Sequence, residues 1–149
     1  MVGKELSMKK LQISQFKHTV LVLLCLLVTP LPVAAGDFDG SKPLLCAVIE
    51  TFECGPAGEC LPGTAEDIDI PQFLRIDFKK KTISGTRESG EVLTTKIENM
   101  ARSDGKLILQ GVQNGKGWSM VITEATGKMT VTASDGQAGF VVFGACIGH

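Results

Sequence analysis

Beyond residue 44 apolar and polar side chains alternate in short runs, and Gly, Asp, Ser or Asn ends each run before a helical period can build. Leu45 to Glu53 reads as a first strand, with Glu53 to Cys60 (ECGPAGEC) as a tight loop after it. From Phe73 to Phe78 the alternation is strict: Leu74, Ile76 and Phe78 point one way, Arg75 and Asp77 the other. Lys79, Lys80 and Lys81 then read as a solvated hairpin tip, and Ser84 to Glu91 as turn. Val92 to Met100 is a more polar strand that ends at the turn Arg102-Ser103-Asp104-Gly105. Lys106 to Val112 is the next strand, and Asn114-Gly115 after it is a strong hairpin signal. Trp118, Met120 and Ile122 share one face of the strand that follows, as Met129, Val131 and Ala133 do on the one after. Phe140 to Cys146 is apolar at both parities, which predicts a last strand covered on both faces.

These runs predict an all-β fold, a single antiparallel meander of seven to eight strands. Closing such a meander into a small barrel removes its free edges; a two-sheet sandwich is the alternative. If the first and last strands pair antiparallel, Cys46 at the start of one comes near Cys146 at the end of the other. Cys54 and Cys60 then bridge the first hairpin locally.

The residues before this domain carry a different pattern. Lys4, Lys9, Lys10 and Lys17 precede the apolar run Thr19 to Thr29, which Pro30 and Pro32 break, and Val33, Ala34 and Ala35 place small or compact residues just after. That order is a secretory signal peptide over 1–35, cleaved before Gly36, with Met1 or Met8 as its start. A membrane anchor needs about 20 apolar residues, more than this run supplies. Cys25 follows Leu24 where a lipidation signal wants a small residue, so it falls within the discarded peptide.

Export changes how the cysteines read. Cys46, Cys54, Cys60 and Cys146 remain in residues 36–149, an even number in an oxidising compartment, and hence two disulfides. No CxxC is present and the domain's one histidine, His149, is terminal, so neither a metal site nor a cofactor is expected. The same facts argue against histidine and thiol catalysis. The opening Asp37-Phe38-Asp39-Gly40-Ser41 resembles the start of a calcium loop, but Lys42 and Val48 stand where glycine and glutamate are needed, so a flexible terminus is expected there. Residues 36–149 hold 11 Lys and Arg against 15 Asp and Glu, which gives no electrostatic reason to bind nucleic acid. The acids concentrate early: Asp37 to Asp77 holds nine against two bases. Glu50, Glu53, Glu59, Glu66, Asp67 and Asp69 are therefore the candidate binding surface, suited to a cationic partner. Trp118 reads as a core residue by its parity, or as the lining of a ligand cavity.

The stretches LILQGVQNGKGWSMVITEATGKMTVTAS and GFVVFGAC, with LLCA, EC…C and IPQFLRIDF before them, resemble a group of short exported bacterial proteins. The resemblance covers nearly all of residues 36–149. It implies a Gram-negative periplasmic or secreted setting and brings no activity or catalytic residue with it. The expected function is thus a non-catalytic exported domain that binds a protein or a small ligand, with no membrane anchor after cleavage. A carboxylate-dependent hydrolase and a structural or stress-protective envelope protein are the alternatives.

Overall fold

Alternation carries through to the structure. A computed structural model describes residues 38–149, which form ten strands and, among the described residues, no helix. The expected signal peptide, its cleavage point before Gly36 and Cys25 lie outside the described residues. In chain order the strands are β1 (Leu44–Cys54), β2 (Cys60–Gly63), β3 (Phe73–Asp77), β4 (Thr82–Thr86), β5 (Val92–Lys96), β6 (Asn99–Ser103), β7 (Lys106–Gln113), β8 (Lys116–Thr123), β9 (Lys128–Ser134) and β10 (Gly139–Gly148). Nine of them make one curled antiparallel sheet, a half-barrel with the order β5-β4-β3-β1-β10-β9-β8-β7-β6, and β2 pairs separately with β1. The sandwich alternative is not what forms.

First and last strands do pair, from Leu44 opposite Gly148 to Cys54 opposite Gly139. They lie in the middle of the sheet, however, and its edges are β5 and β6, which are consecutive in the chain. The single strand expected from Val92 to Met100 breaks between them at Ile97 and Glu98. Ile97 donates its amide to the Lys81 carbonyl (2.9 Å), whereas Glu98 donates to the Gln110 carbonyl (2.8 Å). Two successive amides thus bind opposite flanks of the sheet and draw it round on itself.

The main core fills the end of the half-barrel where β1 begins. Leu44, Ile76, Leu107, Leu109 and Ile122 are fully buried there, with Met120 and Met129 close to it. Burying each large aliphatic side chain contributes about 1.5–3 kcal/mol. The Cys46–Cys146 disulfide crosses this core between directly opposed residues of β1 and β10, and Cys54–Cys60 joins opposed residues of β1 and β2. Both bridges pair as the strand-closure reasoning predicts.

Several local expectations need correction. Ten strands form rather than seven or eight, because Cys60–Gly63 and Thr82–Thr86 are strands where none is expected, and the one expected from Val92 to Met100 is two. β10 is not covered on both faces: Phe143 is 42 % exposed and Ile147 62 %. The segment opening at Phe38 is not a loose terminus, since Phe38 packs on the core and Asp39 accepts the Ser41 amide at 2.8 Å. By contrast Lys79 to Lys81 do cap a hairpin, and Asn114 and Gly115, at φ 48° and 78°, form the expected tight turn with both central residues left-handed.

Candidate ligand-binding cavity

At the opposite end of the half-barrel the inward positions change character. Along β4 the inward series runs from Ile83 to Gly85, along β7 from Leu107 and Leu109 to Gly111, and along β9 from Met129 and Val131 to Ala133. Side-chain volume on the strands falls away towards the end where β8 and β10 begin; Pro71 fits beside Gly85 and the Trp118 ring beside Gly111, and between them a cavity of about 500 Å³ remains. That is within the range of small-molecule pockets, roughly 300–1,000 Å³. Close-packed interiors leave few voids larger than a water molecule.

The walls are mostly apolar. Leu74, Ile83, Leu93, Met120, Val131 and Val142 line the base and sides, and Ile68, Ile70 and Pro71 lean in from the loop between β2 and β3. That loop is held by Thr64 and Asp67: the Thr64 amide and hydroxyl donate to one Asp67 carboxylate oxygen at 2.7 and 2.8 Å. These bonds, the amide's first, hold the Asp67 carboxyl below its ordinary pKa. Gln72 fastens the far end of the loop by donating from its side chain to the Val48 carbonyl.

Trp118 closes one side. Its indole lies over Gly111 on β7, where a Cβ would stand 2.5 Å from a ring carbon, and its Nε1 donates to the Thr95 hydroxyl on β5 at 3.2 Å. β5 is hydrogen-bonded to β4 alone among the described strands, so a seam separates it from β7. The tryptophan spans that seam. Its inward parity was legible in the sequence, and the structure places it in the wall of a cavity.

Charged groups ring the mouth. Arg87 donates to the Asp69 carboxylate at 2.9 Å, to the Asp69 carbonyl at 3.0 Å and to Glu91. Lys116 bonds Asp135 at 2.7 Å, and its Nζ lies 5.6 Å from the centre of the Phe140 ring. Lys116, followed by the Gln137 and Ala138 amides, lowers the Asp135 pKa to about 2.

The six candidate acids do not form one surface. Glu53, Asp67 and Asp69 line the cavity, and Asp67 and Asp69 are already engaged by Thr64 and Arg87. Glu50 lies outside on β1 opposite Phe143, and Glu59 lies in the turn between β1 and β2. Glu66 is exposed beside Glu88, whose hydrogen bond and negative charge raise its pKa, and neither lines the cavity. The basic residues at the mouth, Arg87 and Lys116, are ones that sequence reasoning missed; isolated bases in turn-like segments carry no signal of convergence. Comparison of the chain with family models, with curated proteins and with solved structures finds no match.

Proposed function

We propose that this is a non-catalytic ligand-binding domain of an exported protein, and that it takes a small, largely apolar molecule into the mouth of the half-barrel. One observation carries the reading: a single inward face is close-packed at one end, while about 500 Å³ stays free at the other, between apolar walls that include Trp118, Ala133 and Pro71. Filling that space with side chains would stabilise the fold, so leaving it open makes sense if a ligand fills it. The two disulfides suit an oxidising compartment. With the apolar run before Pro30 and the resemblance to short exported bacterial proteins, they support a periplasmic or secreted setting.

Trp118 provides the assay, because the chain has one tryptophan and no tyrosine. Titration with the neutral apolar probe N-phenyl-1-naphthylamine should quench Trp118 emission saturably, at one probe per chain. Ala133→Phe should fill the cavity and abolish the quenching while far-ultraviolet circular dichroism stays unchanged. Non-saturable quenching, or binding indifferent to Ala133→Phe in a folded variant, would sink the proposal.

A further inference from the structure

The outer face of the half-barrel departs from the usual pattern of an antiparallel sheet, in which outward positions are polar. On β9 they are: Lys128, Thr130 and Thr132 point outward beside Ala145, Phe143 and Val141. On β1 and β10 they are apolar apart from Glu50. Ile49 is 73 % exposed, Phe143 42 % and Ile147 62 %, and Phe73 on the neighbouring β3 is 57 % exposed. Phe52 stands edge-on to Phe143 with ring centres 6.2 Å apart, so the strip is also rigid. Along β1 it runs seven residues, about 23 Å, and it spans three strands, about 10–14 Å. A strip of this size is comparable with the largest apolar patch of a typical monomer, which is often functional.

Its charges are divided by end. Arg75 stands opposite Leu45 at one end, where its guanidinium meets the His149 ring at 3.1 Å and, among the described residues, no carboxylate. Glu50 stands opposite Phe143 towards the other end, with no cationic partner among the described residues. A two-fold axis lying in the interface and running across the strands superposes the apolar centres of two copies. The same operation carries each Glu50 towards the Arg75 end of the other copy. Such an arrangement is self-complementary, as a closed two-fold interface requires, and aligned sheets pack face to face about 10 Å apart.

We infer that the outer face of β1, β10 and β3 is the interface of a homodimer, packed sheet on sheet, with Glu50 of each copy meeting Arg75 of the other. The strip is smaller than the roughly 800 Å² per partner of a standard interface, so the dimer is a weak, reversible one. A phospholipid surface is the other occupant such a strip could take, and the test separates the two.

Sedimentation equilibrium on the protein recovered after export should give a concentration-dependent shift from monomer to dimer mass. Phe143→Lys, an exposed position, should weaken association on the order of a hundredfold or more, since the two-fold repeats the loss. Glu50→Arg should weaken it roughly tenfold, and Glu50→Arg combined with Arg75→Glu should restore it, a rescue that a merely structural role would not give. A monomer up to several hundred micromolar overturns the inference, as does a dimer insensitive to Phe143→Lys. So does a monomer that co-sediments with phosphatidylglycerol vesicles and is released by that substitution, which would assign the strip to lipid.

Discussion

Replacing Gly111 by alanine tests whether the cavity wall is as tightly built as it looks. An added Cβ would stand 2.4 Å from the Lys96 carbonyl oxygen and 2.5 and 2.8 Å from two carbons of the Trp118 indole. Ordinary contacts are about 3.5–4 Å, so both the β5 backbone and the ring must give way by about 1 Å. Overpacking of this kind costs about 1–3 kcal/mol. A moved ring also forfeits the Trp118–Thr95 hydrogen bond, about 0.5–1.5 kcal/mol more. The expected loss is therefore about 2–4 kcal/mol in urea unfolding, with a changed Trp118 emission maximum in the native state. Gly117→Ala is the matched control: it lies on the adjacent strand opposite Val112 and a Cβ there meets nothing within 4 Å, so its effect should stay within about 0.5 kcal/mol. Equal stability of the two variants would refute the reasoning, because the seam would then yield without cost.

Removing the Cys46–Cys146 bridge by paired alanine substitution should cost about 4.7 kcal/mol on loop-closure entropy across 100 residues, against about 2.2 for Cys54–Cys60 across six, read as the difference in denaturant midpoints; equal losses would refute the entropic account. Asp135 titrates at about 2 instead of 3.8, so the contribution of its carboxylate is complete above about pH 4 and lost as pH falls through about 2; the gap between wild type and Asp135→Asn in urea melts should close over that window. Leu109→Ala, at a fully buried site, should destabilise by about 3–5 kcal/mol, whereas Ile49→Ala, 73 % exposed, should change stability by no more than about 0.5 kcal/mol. Intact mass of the protein recovered from the envelope should correspond to a chain beginning at Gly36, and a species retaining a lipid on Cys25 would overturn the signal-peptide reading.

How far the fold could be read in advance depended on side-chain volume. Leu74 and Ile76, or Trp118, Met120 and Ile122, announce a strand because large apolar groups recur at period two. Ser84-Gly85-Thr86 announces nothing, yet it is strand, because the Phe73 carbonyl and Pro71 lie where a Cβ of Gly85 would be, and only glycine admits them. The break at Ile97 was invisible for another reason: alternation reports which face a residue takes, not where a sheet bends round. The cysteine pairing was legible because it needs only strand order and direction. The cavity was not. Its walls come from Ile70, Leu93, Trp118, Ala133 and Val142, positions far apart in the chain that only the topology brings together. The six acids fail as a group for the converse reason, since shared charge along a segment says nothing about shared place.

The pairing of β1 with β10 also sets an order of events. The middle of the sheet is made from the first and last strands to emerge, so β1 has no neighbour along one whole edge until Gly139–Gly148 arrive. Contacts of such long sequence separation form slowly, so the middle of the sheet is completed only when β10 docks. Until then Cys146 is not held beside Cys46, whereas Cys54 and Cys60 are already close along the chain. A six-residue loop closes readily, so Cys54 and Cys60 can take each other first and leave Cys46 without a wrong partner. The short bridge then works as a timekeeper for the long one: chains trapped by alkylation early in oxidative refolding should carry Cys54–Cys60 closed and Cys46 still a free thiol.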